Sequence, residues 1–284
     1  MPKLSAGQWM TSIPYAKENF LQSYDIFPTV PKFGSPPPQY WVVYIHGGFY
    51  RDPLVLKESF HPTVQLLTSS SNQSLQSSVA GYATLDYRLS PHTNHTQPID
   101  TPPFAQRTAV WPQHLDDVLA AIKQLQSVHK FGSNYVLAGH SVGAQLALLA
   151  ALRAEDSGFP APKVVLGISG IYDFPLILED HPEYSALVFN AMKEGEEIPA
   201  SPAFHKAEHY EDAGVEKVVL AHSKDDGLVP WNQVEAMSKV LQQSEKGEDY
   251  VSVVELHGQH NDIWRDGKES SRAILAALQQ AALC

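Results

Sequence analysis

A chain of 284 residues, 43% hydrophobic and 18% charged, is long and apolar enough to close one large α/β core. Its net charge of −11 excludes nucleic acid and anionic membrane as main partners, since both require basic patches. A single cysteine, Cys284, excludes an intrachain disulfide; with no apolar leader and no run of about 18 apolar residues, a reduced, cytoplasmic, membrane-free protein is expected.

Residues 1–30 are mixed, with Pro14 and Pro28 set against any long element, and FGSPPPQ (33–39) reads as a turn. Residues 1–38 are therefore read as an N-terminal extension. YWVVYIHGG (40–48) begins with a continuous β-branched and aromatic run, as a strand buried on both faces requires. A helix is expected over 56–70, a loop at SSSNQSLQSS (69–78), a strand at VAGYATLDYRLS (79–90) and an exposed loop over 91–108. The tripeptides at Asn72 and Asn94 match the glycosylation pattern by chance. Leu115, Val118, Leu119, Ile122 and Leu125 have helical spacing, with Pro112 at the start and Gly132 past the end.

The pattern then repeats. NYVLAGHS, KVVLGISGIYD, KVVLAHSKDD and YVSVVELHG read as strands. AQLALLAALRAE, WNQVEAMSKVLQQS and SRAILAALQQAAL read as helices. Residues 174–213 break into short helical pieces split by prolines, a cap-like insert. Alternating strands and helices predict βαβ units and a mostly parallel sheet flanked by helices, in one domain spanning 1–284.

GHSVG (139–143) stands where a strand passes into a helix. Glycines on both sides let the chain turn sharply and present Ser141 at the carboxyl edge of the sheet. A serine that merely capped the helix would not need both. A serine hydroxyl is a weak nucleophile and needs a base oriented by a third group. The loops after the next strands supply both, because sites in parallel sheets gather at the strands' carboxyl ends. Asp226 is preferred over its neighbour Asp225, and His260, past Gly258, over His257 at the strand terminus. His140 is expected to pack at the elbow. Gly47 and Gly48 of HGGFY, with Val142 after the serine, can offer backbone N–H groups to an oxyanion.

Other features carry less. His205 and His209 have the one-turn spacing of a metal pair but no third ligand, and are read as surface residues of the insert. His61 is read as packing or capping, and Arg88 as a structural anchor. No nucleotide-binding glycine motif or CxxC occurs, so neither cofactor nor metal is expected.

HGGFY, DYRLSP, WPQHLDDVLAAI and GHSVGA fall in the order found in hormone-sensitive-lipase-like esterases, so the chain resembles an α/β-hydrolase. HGGFYRDP, GHSVGAQL, SGIYDFPLILEDHPEY, HSKDDGLV and HNDIW match a narrower family, the fungal kynurenine formamidases or arylformamidases. The resemblance runs from about residue 40 to the C-terminus. It implies the α/β-hydrolase fold, with Ser141 as nucleophile, Asp226 as orienter and His260 as base. It implies N-formyl-L-kynurenine as substrate, in tryptophan catabolism toward NAD, and makes a homodimer plausible. In the motif at His46, Tyr50 stands where the family has Trp, which leaves substrate preference open. A formyl group calls for a tight acyl pocket, with Phe49 or Tyr50 as walls, and the insert could supply apolar surface to an aromatic leaving group. Nothing in the sequence places the partner of the substrate's amino-acid end; Arg51 is one candidate. The alternatives are a carboxylesterase for short acyl esters and a non-catalytic hydrolase fold serving as a small-molecule receptor.

Overall fold

The computed structural model describes residues 6–29, 39–69 and 78–284. The turn expected at 33–39 and the serine-rich loop at 69–78 lie outside the described residues, apart from their end positions. Eight strands form one sheet: β1 (Met10–Pro14), β2 (Ser23–Pro28), β3 (Tyr40–Ile45), β4 (Val79–Leu85), β5 (Tyr135–His140), β6 (Val164–Ile168), β7 (Lys217–Ser223) and β8 (Val251–Leu256). Their spatial order is β1-β2-β4-β3-β5-β6-β7-β8. The pairs β1–β2 and β2–β4 are antiparallel, and every later pairing is parallel.

The apolar runs are continuous because alternate residues enter two different cores. On β3, Trp41, Val43 and Ile45 face one core, while Tyr40, Val42 and Tyr44 face the other. The first core is covered by α2 (Gln113–His129), α3 (Val142–Leu152) and α7 (Asn232–Leu241). The second is covered by α1 (His61–Ser69) and the closing helix α9 (Lys268–Leu283). There Tyr44 and Phe60 stack in parallel at 4.3 Å. Helix α3 is buried from Val142 to Ala151, so its sequence, Gln145 apart, is apolar all round rather than striped.

The 174–213 insert contains α4 (Phe174–Asp180), α5 (Ser185–Ala191) and α6 (Ala207–Asp212), with prolines at its breaks. A short α8 (Asp262–Arg265) follows β8. No helix among the described residues is long and apolar enough to cross a membrane.

The reading of 1–38 as an extension is corrected. Residues 10–28 build β1 and β2, and β2 pairs with β4 from Tyr24 to Pro28. Asp25 on the buried β2 accepts the Ser12 N–H at 2.8 Å and meets His61 at 3.1 Å. His61 also stacks on Trp9 at 3.9 Å, so it packs, as expected. Arg88 anchors α2 through two hydrogen bonds from its guanidinium to Asp117, at 2.8 and 2.7 Å.

His114 on α2 is fully buried, with its Nε2 3.0 Å from Ser90 Oγ. Burial, reinforced by the Arg88 charge, pushes its pKa down to about 3. The unfolded chain takes up this proton near pH 6.5 and the folded chain does not, so stability is present at neutral pH and lost as pH falls through that window. Between pH 7 and about 4, His114→Gln is expected to lose about 3 kcal/mol less stability than the wild type. Urea unfolding of both proteins at the two pH values checks this; equal losses would refute it.

Candidate active site

Ser141 lies between β5 and α3 with φ 57° and ψ −124°, a conformation that costs about 1–3 kcal/mol for a residue with a side chain. The backbone leaves no alternative to the flanking glycines. A Cβ on Gly139 would lie 2.0 Å from the Gly143 carbonyl oxygen, and one on Gly143 would lie 2.3 Å from that of Ile45. Ser141 occupies the cap position of α3, yet its side chain makes no capping hydrogen bond. Its backbone N–H donates to the Ile168 carbonyl at 2.9 Å, pinning the turn to β6.

Asp226 and His260 come from the loops after β7 and β8. The His260 Nδ1–H donates to Asp226 Oδ2 at 2.8 Å, so a neutral imidazole presents a free lone pair on Nε2. Asp226 Oδ1 accepts the Leu228 and Val229 N–H groups at 3.0 and 2.9 Å. Burial raises the Asp226 pKa, but the bond and charge of His260 and these two N–H groups outweigh it and hold the carboxyl at about 2. His222 Nε2 approaches the same carboxylate at 3.7 Å, but its N–H donates to the Val229 carbonyl at 2.9 Å. Asp225 and His257, the sequence alternatives, are both exposed. His140 packs against His260, ring centroids 4.5 Å apart, and its Nε2–H donates to the His260 carbonyl at 3.2 Å. It therefore steadies the loop that carries the imidazole.

The loop after β3 is turned by three consecutive left-handed residues, Gly48 (φ 85°), Phe49 (φ 46°) and Tyr50 (φ 63°). The Tyr87 hydroxyl lies 3.2 and 3.0 Å from the His46 and Gly47 carbonyls, and the Gly48 carbonyl accepts from Arg51 and Asp52. These contacts hold the carbonyls. The Gly47 and Gly48 N–H groups donate to no group among the described residues. A Cβ on Gly47 would lie 3.0 Å from that of Ser141, so this bare backbone runs directly beside the serine. The Val142 N–H, first in α3, has no intrahelical acceptor.

Three motif residues divide differently from expectation. Phe49 lines the cavity, whereas Tyr50 is buried behind it and does not. The Tyr50 hydroxyl donates to Gln145 Oε1 at 2.8 Å, and Gln145 Nε2 donates to the Ala200 carbonyl at 2.7 Å. His46 also lies beneath the loop, stacked on Tyr87 at 4.4 Å, and burial lowers its pKa to about 4.

One cavity of about 260 Å³ contains Ser141, His260 and Gly48 in its wall. Apolar surface comes from Phe49, Ile171, Leu228 and two residues of the insert, Tyr184 and Leu187. Arg51, Asp52 and His92 form a polar stretch of the same wall. Asp52 stood in the sequence only as part of the HGGFYRDP match and His92 was not singled out, the one belonging to a turn and the other to a loop without periodicity.

Asp52, His92 and His95 bring ligand atoms within 4.8 Å of one another. His92 Nδ1 already accepts the Asn94 N–H at 3.0 Å, and burial together with the Arg51 charge lowers its pKa. A metal ion here would meet a guanidinium, so the cluster is poorly suited to a cation. His205 and His209 lie in the insert, His209 exposed and His205 with its Nε2 3.2 Å from the Pro199 carbonyl.

Comparison with known proteins agrees with this fold. A family model described as the alpha/beta hydrolase fold matches residues 108–260. A kynurenine formamidase-like hydrolase of Fusarium equiseti is 32% identical, covering 91% of this chain and 90% of that protein. A kynurenine formamidase of Aspergillus versicolor is also 32% identical, covering 89% and 94%. The kynurenine formamidase of Saccharomyces cerevisiae is 27% identical over 80% of this chain and 84% of its own. Among solved structures, a hormone-sensitive lipase from a metagenome library superposes with a TM-score of 0.62 at 17% identity, covering 99% of this chain and 86% of that one. A thermostable esterase from Pseudomonas putida gives 0.60 at 18% identity, covering 96% and 80%. These two show likeness of fold.

Proposed function

The chain belongs to the alpha/beta hydrolases and, within them, to the kynurenine formamidase family, and from that premise we propose that it hydrolyses N-formyl-L-kynurenine to L-kynurenine and formate. The observation that carries this reading is the sharing of one cavity by Ser141, whose hydroxyl does not cap its helix, and His260, whose Nδ1 is bound to Asp226.

In the proposed mechanism, Ser141 Oγ attacks the formyl carbon while His260 Nε2 takes its proton. The Gly47, Gly48 and Val142 N–H groups stabilise the oxyanion, each worth about 3–4 kcal/mol in the transition state. His260 then protonates the aryl nitrogen, the C–N bond breaks, and the amine leaves. A water gives its proton to His260 and attacks the formyl-serine. Formate departs as the proton returns to Ser141. Asp226 keeps the imidazole in the tautomer that accepts at Nε2 and stabilises the imidazolium. The apolar surface of Tyr184, Leu187 and Ile171 suits an aromatic amine. The reaction belongs to tryptophan catabolism toward NAD, as the family resemblance implies.

Purified protein assayed with N-formyl-L-kynurenine, by kynurenine absorbance, and beside it with p-nitrophenyl acetate, tests the reading. The formamide is expected to show a kcat/KM at least about 10-fold above that of the ester, a margin that a few pocket contacts can supply. Ester turnover with negligible formamide cleavage would overturn it in favour of a short-acyl carboxylesterase.

A further inference from the structure

Arg51 differs from the other basic side chains near the site. Lys57 is spent on Asp86, at 2.7 Å, and Arg88 on Asp117. Among the described residues the Arg51 guanidinium has no carboxylate within 4 Å and donates no hydrogen bond, yet it lines the cavity of Ser141. Among the described residues no other lysine or arginine stands in that wall. Beside it in the wall is Asp52. Its Oδ1 accepts the Leu54 N–H at 2.9 Å, and its Oδ2 makes no hydrogen bond among the described residues. The turn is fixed because the Gly48 carbonyl accepts both the Arg51 and Asp52 N–H groups, at 3.0 and 2.9 Å. One unpaired cation and one half-used carboxylate are thus held within four residues of Gly48.

We propose that Arg51 and Asp52 form a zwitterion subsite, Arg51 binding the α-carboxylate and Asp52 the α-ammonium of a free amino acid. The proposal rests on the formamidase reading and assigns the residues that hold the unblocked amino-acid arm of its aryl formamide substrate. The chemistry of such a substrate fits the short distance along the chain. In kynurenine the formamide and the amino-acid arm are ortho on the ring, so both charged groups stay on the same side as the formyl carbon. A single turn can therefore serve the oxyanion from Gly48 and the zwitterion from the residues that follow. A guanidinium is the side chain suited to grip a carboxylate through two parallel N–H bonds. It also answers the net charge of −11, which would otherwise oppose an approaching carboxylate. Burial lowers the Arg51 pKa from its ordinary value, with Asp52 opposing, so the group is already partly stripped of water for binding. His92, on the same wall, accepts the Asn94 N–H on Nδ1; when neutral it carries its proton on Nε2, as a donor rather than a rival anion. His95 is the remaining titratable group of the cluster and adds no negative charge.

The test uses the full chain and the product as a probe, so that it does not depend on turnover. Dissociation constants for L-kynurenine and its methyl ester are measured by titration calorimetry for wild type, Arg51→Gln, Arg51→Lys and Asp52→Asn. Wild type is expected to bind the free acid about 10- to 100-fold more tightly than the ester, the worth of a charge-assisted pair. Arg51→Gln should erase that ratio and Arg51→Lys restore part of it. Asp52→Asn should weaken L-kynurenine while sparing 4-(2-aminophenyl)-4-oxobutanoate, the same molecule without its α-amino group, titrated alongside. In turnover, Arg51→Gln should raise KM for N-formyl-L-kynurenine far more than it changes kcat, with formanilide, which lacks the arm, affected less than about 3-fold. A wild type that binds acid and ester alike, or an Arg51→Gln variant that keeps the ratio, overturns the subsite. If the binding ratios behave as expected but N-formyl-L-kynurenine is not cleaved, the subsite stands and the formamidase reading falls.

Discussion

Ser141→Ala is expected to lower kcat/KM for N-formyl-L-kynurenine by about 10⁴-fold or more, leaving the residual rate that oxyanion donors and binding alone supply. The argument rests on position. The residue holds a strained backbone conformation, makes no capping bond, and stands in the cavity that His260 also lines. Alanine keeps the Cβ and the apolar contacts of the turn, so the fold should survive, and an unchanged unfolding midpoint would show that it has. The formyl carbon then has no protein nucleophile, and His260 has no hydroxyl proton to accept. Single-turnover measurements should show no rapid first release of kynurenine. A variant that keeps more than about a tenth of wild-type activity would exclude Ser141 as nucleophile.

The second large effect is on stability. Lys57 is buried, and its Nζ and its backbone N–H each approach the Asp86 carboxylate at 2.7 Å. Burial pushes the Asp86 carboxyl up to about 6, with Lys57 opposing the rise. Lys57→Met leaves a carboxylate in the interior with no cation, a loss of about 3–5 kcal/mol when one partner of a buried pair is removed. The sign of the pH dependence follows. With Lys57 gone, the folded-state pKa climbs further above its unfolded value, so the penalty is full at high pH and shrinks as Asp86 takes up a proton. Chemical denaturation should find the variant at least about 3 kcal/mol weaker at pH 8 and closer to wild type at pH 5. A loss below about 1 kcal/mol at pH 8, or one that does not change with pH, would mean that the pair is not what holds this region. Asp86 lies 3.4 Å below His46, and the Tyr15 hydroxyl donates to its carbonyl, so the weakened variant should also loosen the loop that carries Gly47 and Gly48.

Much of this arrangement was legible in the chain because the constraints are local. Gly139 and Gly143 report a backbone approach that no side chain survives, and the strand–turn–helix pattern around them says where it happens. The continuous apolar runs of β3 and β5 follow from burial on two faces. Strands β1 and β2 were not legible. They are short, end in proline and contain Ser12 and Asp25, polar residues satisfied only by partners far away in sequence or across the strand pair. Phe49 and Tyr50 could not be told apart from the sequence, since consecutive left-handed residues send one ring into the cavity and the other behind it. That division removes Tyr50 from direct contact with the cavity, so its replacement of the family Trp acts through packing and through Gln145. Asp226 and Asp225 differ only in which one the turn after β7 buries.

The stretch of the insert that reaches the cavity, residues 174–201, is bolted down at both ends. Gln233 receives the Tyr172 and Asp173 N–H groups, each at 2.8 Å, and returns a bond to the Asp173 carbonyl at 3.0 Å. Gln145 holds Ala200, and the Phe174 N–H donates to Ser201 Oγ at 2.9 Å, tying one end to the other. Both glutamines are fully buried. Such an element works as a lintel over the doorway rather than as a door. Traffic in and out must then pass wall residues outside the insert, such as Arg51, His92, Leu228 and Asn261, or use a shift confined to the middle of the insert around Tyr184 and Leu187. Slowing of turnover by added viscosogen would therefore report diffusion past a fixed frame, and stapling the two ends together should leave the rate where it was.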